Sequence, residues 1–361
     1  MKPSLPTPLS KTRSVRRVGV GLAVGALFLF GLPGFAGGLA PLPSAEKVVG
    51  VGGPWKAAGA APALFGQVEN IPGDGPIVGA IHTVVAHPTN PNILWVGAVN
   101  GGIWVTHNAT AAKPNWLRTT DDQASISIGA LDLDPTDPAR NTLVAGIGLW
   151  SSFGLAGGRR TGLLKSTTGG ILWTPIDGGG TLVGKDFSGV AVRGKTLIAS
   201  VDFADDFNFT KVGVFRSTDG GATFTQVSFG DGTATGLPTG VSYDLVGDPK
   251  RPKRLFTNID LADFFGGENG IYRTDDTGAT WTKVSTPALD ALLVSGTATN
   301  VELAVGRSNN VYCAIIDASG QLAGVFRSGN GGASWTQMDL PMTNEGGPIG
   351  IHPGFQGFLH L

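Results

Sequence analysis

The stretch GVFRSTDGGATFTQV at 213–227 recurs in this chain without a gap. Its companions are GLLKSTTGGILWTPI at 162–176, GIYRTDDTGATWTKV at 270–284 and GVFRSGNGGASWTQM at 324–338. Their first residues are 51, 57 and 54 positions apart. A degenerate copy with a longer turn, GIWVTHNATAAKPNW at 102–116, precedes them. Upstream of each copy lies a second recurring piece. His87-Pro88 precedes Ile93-Leu94-Trp95-Val96, Asp134-Pro135 precedes Thr142-Leu143-Val144-Ala145, and Asp248-Pro249 precedes Arg254-Leu255-Phe256-Thr257. Weaker copies stand at Val192-Arg193-Gly194 and Gly306-Arg307. At the chain's end His352-Pro353 and Phe358-Leu359-His360-Leu361 repeat the spacing of 87–96, which predicts the start of a sixth unit.

Each unit predicts four short strands. The first is a run such as 81–86 or 301–305, the second follows the Asp-Pro turn, the third is Gly-Val-Phe-Arg, and the fourth opens at Thr-Trp-Thr. Alternating β-branched and aromatic residues between Gly, Pro, Asn and Asp favour strands, and no stretch after residue 45 has a helical period. Four strands in about 50 residues, repeated, is the arithmetic of a β-propeller blade. The expected fold is all-β: a propeller of four-stranded blades at 76–119, 124–177, 186–228, 240–285 and 299–340, with a partial sixth at 347–361.

The turn between strands three and four carries the sharpest pattern. Its copies are Ser217, Asp219, Gly221, Thr223 and Phe224; Thr274, Asp276, Gly278, Thr280 and Trp281; and Ser328, Asn330, Gly332, Ser334 and Trp335. An Asp here accepts from turn amides, and Gly adopts a backbone that a Cβ opposes. Asn330 keeps the acceptor, Thr168 is a weaker one, and the aromatic can bury itself on neighbouring strands.

The chain has 57 Gly and 23 Pro among 361 residues, yet 41% of it is hydrophobic. That is a packed, turn-rich protein rather than a disordered one. Charged residues are only 15% and the net charge is −1, which excludes a strongly basic nucleic-acid footprint. The one Cys, Cys313, excludes an intrachain disulfide framework. Lys2, Lys11, Arg13, Arg16 and Arg17 precede an apolar run at 18–32, and Gly34-Phe35-Ala36 offers a cleavage site. Residues 1–36 are therefore expected to be a signal peptide or N-terminal anchor, 37–46 a linker, and 47–361 the propeller of a secreted or periplasmic protein. Cleavage takes Lys+Arg from 26 to 21 against 27 Asp+Glu, leaving a mildly acidic chain with no affinity for nucleic acid or anionic membrane.

The turn resembles the Asp-box, or BNR, repeat of sialidase-like and sortilin-like propellers, across residues 47–361. The opening from Trp55 through Thr119-Thr120-Asp121-Asp122 to Ile128-Gly129-Ala130-Leu131 looks like that of bacterial exported BNR-repeat proteins labelled glycosyl hydrolases. The resemblance implies that the box is a structural turn away from the substrate face. BNR-repeat photosystem assembly factors and sortilin-type receptors are similar in the repeat and serve binding alone.

In a four-strand meander the one–two and three–four turns share one face, and the two–three loops share the other with the blade connections. The two–three loops vary most. They concentrate Trp150, Phe153, Asp202, Asp205, Asp206, Phe207, Asp260, Asp263, Phe264 and Glu268. Aromatics among carboxylates can stack on sugar rings and accept from their hydroxyls, so these are the expected ligand residues. A sialidase-like enzyme needs an arginine triad and a Tyr nucleophile, and its Arg-Ile-Pro signature is absent. A xyloglucanase-like enzyme resembles the 95–106 stretch but places a catalytic Asp where this chain has Ala98-Val99-Asn100-Gly101-Gly102. The expectation is a scaffold binding a protein or glycan, with a glycoside hydrolase as the alternative and no catalytic residue named. Neither a cofactor nor a metal site is expected. His82, His87, His107, His352 and His360 lack ligand spacing, and His87 takes the turn position held elsewhere by Asp134 and Asp248.

Overall fold

A computed structural model describes residues 81–148, 158–306 and 308–340. The leader, the linker, Trp150, Phe153 and the sixth unit at 347–361 lie outside the described residues.

Five four-stranded antiparallel sheets follow one another, each a meander in chain order. The first holds β1 (Ile81–Ala86), β2 (Leu94–Ala98), β3 (Gly102–Thr106) and β4 (Trp116–Arg118). The second holds β5 (Ile128–Leu133), β6 (Leu143–Ile147), β7 (Leu163–Ser166) and β8 (Thr174–Ile176). The third holds β9 (Lys185–Arg193), β10 (Thr196–Ala204), β11 (Gly213–Ser217) and β12 (Thr225–Gln226). The fourth holds β13 (Leu245–Asp248), β14 (Arg251–Ile259), β15 (Gly270–Thr274) and β16 (Thr282–Lys283). The fifth holds β17 (Ala298–Val305), β18 (Val311–Asp317), β19 (Leu322–Ser328) and β20 (Thr336–Gln337). This is the propeller arrangement. The fourth strands are short and largely exposed, and the first strands pack on one another from sheet to sheet. Among the described residues helix is confined to a four-residue turn at Pro287–Asp290 and two 3-10 turns, none long and apolar enough to cross a membrane.

The apolar cores lie between successive sheets. Trp95, Ile103 and Val105 meet Ile128, Leu143 and Leu164. Ile198 and Val214 meet Leu255, Tyr272 and Trp281, and Phe256 and Ile271 meet Val301, Val311 and Phe326. Each fully buried large aliphatic contributes about 1.5–3 kcal/mol, so the face-to-face stacking of blades is the main source of stability.

The recurring turns close as local chemistry dictates. Ser217 Oγ donates to Asp219 Oδ1 at 2.7 Å and accepts from the Gly221 N–H at 2.9 Å. Asp219 accepts from the Thr223 N–H at 3.1 Å and its hydroxyl at 2.6 Å. These bonds hold the Asp219 carboxyl well below its usual range, the Thr223 hydroxyl contributing most. Thr274 and Asp276 repeat the pattern, and Asn330 accepts from the Ser334 N–H at 2.9 Å. At the one–two turns, Asp248 accepts from the Lys250 N–H at 2.8 Å. His87 does the same with Nδ1, from the Asn90 N–H at 3.0 Å.

Thr277 breaks the pattern. The equivalent box residues are Gly169, Gly220 and Gly331 at φ 68°, 85° and 70°, yet Thr277 sits at φ 63°. A β-branched residue is strained there. Thr277→Gly is expected to raise stability by about 1 kcal/mol, strain relief outweighing the added freedom of the unfolded chain. Urea melts check this, and a loss of stability would show that the Thr277 side chain is needed.

Candidate functional site

The two–three loops of the third and fourth sheets project their aromatics. Phe207 is 73% exposed at φ 53° and meets Phe203 edge-to-face at 5.0 Å. Phe264 is 64% exposed on a 3-10 turn entered through Leu261 at φ 61°. Phe207 and Leu261 thus hold left-handed backbones that oppose a Cβ.

Most of the loop carboxylates are already engaged. Arg160 grips Asp186 with two bonds, at 2.6 and 2.9 Å, pairs with Asp205, and lies 4.8 Å over the Phe203 ring. Lys211 pairs with Asp206 at 2.5 Å, and Lys283 with Glu268 at 3.1 Å. Asp263 accepts from the Ser295 hydroxyl.

Asp202 and Asp260 depart from the expectation of exposed loop acceptors. β10 runs on to Ala204 and so includes Asp202, while β14 ends at Ile259 and Asp260 continues into a bridge with Val241. Strand geometry therefore turns both into the seam between the third and fourth sheets. Asp260 is fully buried, its Oδ1 accepting from the Leu261 N–H at 2.8 Å. Asp202 Oδ1 and Asp260 Oδ2 find no hydrogen-bond partner among the described residues. Burial raises the Asp260 carboxyl to about 7 and pushes Asp202 well above its usual range, with the Asp186 charge adding to the latter. Tyr243 stands near both: burial, then the charges of Asp260 and Asp202, push its hydroxyl up.

The inner strands of the five described sheets line an open cavity of about 230 Å³. His82, Thr83, Ser188, Tyr243, Asp244 and Glu302 are its polar lining. His82 and Ser188 lie in the leading halves of β1 and β9, and Tyr243 and Asp244 just before β13, towards the face that carries the two–three loops, while Glu302 sits past the middle of β17. Asp244 Oδ1 accepts from the Leu245 N–H at 2.7 Å, and Oδ2 from the Leu303 N–H at 2.7 Å. The second bond holds the Asp244 carboxyl against β17, next to Glu302. Asn300 Nδ2 donates to Glu302 Oε1 at 2.9 Å. Burial, then the Glu302 charge, pushes the Asp244 carboxyl well above its usual range.

The sequence reading missed Asp244 and Glu302. A signal was present: each is a lone carboxylate at the same place in an otherwise apolar or small first strand, Tyr-Asp-Leu-Val-Gly and Val-Glu-Leu-Ala-Val. Among the described residues no group of three or more His, Cys, Asp or Glu side chains is placed to hold a metal ion. Cys313 is fully buried, and burial pushes its thiol up.

No family model matches the chain. A xyloglucanase from Paenibacillus sp is 28% identical over 178 residues, covering 49% of this chain and 15% of that protein. An oligoxyloglucan-reducing end-specific xyloglucanase from Emericella nidulans is 26% identical over 217 residues, covering 57% of this chain and 24% of that protein. The chain thus spans less than a quarter of the length of these curated relatives. Among solved structures, the GH74 xyloglucanase from Xanthomonas campestris aligns with a TM-score of 0.47 at 17% identity, over 74% of this chain and 39% of that one. YCF48 from Cyanidioschyzon merolae aligns with a TM-score of 0.38 at 17% identity, over 60% of this chain and 57% of that one.

Proposed function

We propose that this chain is the carbohydrate-recognising propeller of an exported, glycoside-hydrolase-type protein whose ligand is a xyloglucan-like β-glucan. The observation that carries the reading is sequence similarity, over about half the chain, to two proteins described as xyloglucanases. The loop face supports it: Phe207 and Phe264 offer exposed aromatic faces for pyranose stacking. On this reading the repeat is of the Asp-box kind, residues 1–36 address the chain across a membrane, and 47–361 form the propeller including a sixth unit.

A second reading, recognition of a glycan or protein without turnover, is favoured by Asn100. It stands where the xyloglucanase resemblance calls for a carboxylate, and it accepts a hydrogen bond from the Ser127 hydroxyl. Incubation with xyloglucan oligosaccharides, followed by reducing-end assay and calorimetric titration, separates the readings. New reducing ends support the hydrolase, and saturable binding without cleavage supports the binding protein. Absence of both signals would contradict the glycan proposal.

Phe207→Ala and Phe264→Ala are expected to weaken oligosaccharide binding by about 1 kcal/mol each, the scale of an aromatic contact. Stability should be unchanged or slightly improved, because these rings are exposed. Binding unaffected by both changes would remove the loop face from the site.

A further inference from the structure

Each sheet turns one face to its predecessor and the other to its successor, and strand register assigns every residue to one of the two. On the face towards the successor, Trp95, Val144, Ile198 and Phe256 hold one second-strand position and are at most 2% exposed. The basic residue just before the box Ser or Thr bonds across the same seam. Lys165 Nζ donates to the Gly220 carbonyl at 3.5 Å, Arg216 Nε to that of Thr277 at 2.9 Å, and Arg273 Nη1 to that of Gly331 at 2.9 Å. Each acceptor lies in the box turn of the next sheet. The fifth sheet has the same face, but among the described residues no sheet follows it. Tyr312, at the position of Phe256, is only half-buried, and Ala304 and Arg327 beside it are exposed. Arg327 turns back to Asn310 of its own sheet, Nη2 donating to Oδ1 at 2.9 Å.

We infer that residues 347–361 of this chain seat on that face of the fifth sheet. The inference rests on the repeat and not on the glycan reading. Aligning His352-Pro353 with His87-Pro88 places Ile349 at Val84, Ile351 at Ala86, Leu359 at Leu94 and Leu361 at Val96. In the first sheet Val84 faces Val96 and Ala86 faces Leu94. The corresponding residues of later sheets form the face turned to the predecessor. They are Val190, Val192, Leu197 and Ala199 in the third sheet, and Leu303, Val305, Val311 and Cys313 in the fifth. All four of these positions are apolar in 347–361, and Pro348 and Gly350 alternate with the two isoleucines. A period of two with one apolar side is what a single buried sheet face requires. The reach also fits. Segments 119–127, 177–184, 227–244 and 284–297 join successive sheets with 9, 8, 18 and 14 residues, and 338–347 supplies 10 before Pro348.

The test is Tyr312→benzoylphenylalanine in the full chain, irradiated and mapped by mass spectrometry. A ring replaces a ring at a half-buried position, so the sheet itself is left intact. Cross-links are expected within 347–361 of the same chain. Cross-links to a second copy, to any other segment, or to nothing would overturn the inference. Nitration by tetranitromethane gives an independent readout on unlabelled protein. Tyr312 is expected to react at least about tenfold more slowly in the wild type than in an Ile351→Asp, Leu359→Asp double variant, the ratio that local undocking sets. Equal rates in a folded variant would overturn the inference. Reaction at Tyr272, which is 4% exposed, would mark the variant as unfolded, and the cross-link then decides alone. No ligand enters either measurement, so their failure leaves the carbohydrate proposal standing.

Discussion

Trp281→Ala is expected to lower unfolding stability by about 3–5 kcal/mol, enough to remove most of the margin of an ordinary domain. The indole is 5% exposed in the core between the third and fourth sheets, among Ile198, Leu245, Leu255 and Tyr272. Its Nε1 donates to the Gly278 carbonyl at 3.2 Å, and its own N–H donates to the Thr235 carbonyl at 2.8 Å. The change leaves a cavity in a seam that strand geometry prevents from collapsing. Trp335 holds the same box position in the fifth sheet but is half-buried, so Trp335→Ala should cost less. Urea melts of the two variants decide the matter: equal losses would mean that burial in the blade seam is not what the box aromatic contributes.

Stability is expected to fall as pH rises from 5 to 8. Burial raises the Asp260 carboxyl to about 7 in the folded protein, against an ordinary value of 3.8. Between those values the native state holds a proton that the unfolded chain has released, so each rise in pH favours unfolding. Its contribution is fully present below pH 3.8 and is lost as pH passes 7. That difference corresponds to about 4 kcal/mol at most. Asp202 and Asp244 act in the same direction, since burial raises both. Carboxyls held low, such as Asp276 through Thr280, act oppositely, but only below their ordinary range. Asp260→Asn should flatten the profile between pH 5 and 8. A wild-type protein that is more stable at pH 8 than at pH 5 would contradict the buried placement of Asp260.

The fold was legible because its determinants are local. Ser217, Asp219, Gly221 and Thr223 bond within one turn, so seven residues specify it wherever they occur. His87 could be assigned a turn role by alignment with Asp134 and Asp248, and its Nδ1 fills it. Thr277 shows the limit of such a pattern, since its backbone follows the turn against its own side chain.

The site was less legible because its determinants are not local. Phe207 and Phe264 are exposed as their loops suggested. Asp202 and Asp260 stand beside them in sequence but turn into the seam, because β10 and the bridge to Val241 extend further than alternation indicates. Asp205, Asp206 and Glu268 are partnered by Arg160, Lys211 and Lys283. Arg160 reaches Asp205 from 45 positions away, and sequence spacing does not announce that. Asp244 and Glu302 are separated by two strand pairs and become neighbours only when the first strands of successive blades stand side by side.

On the proposed reading the propeller binds a neutral β-glucan through its loop face. The most direct test is calorimetric titration of the full chain with a xyloglucan oligosaccharide, for the wild type and Phe207→Ala. The expected result is saturable binding by the wild type and weakened binding by Phe207→Ala. No heat of binding from wild-type protein that melts cooperatively would contradict it.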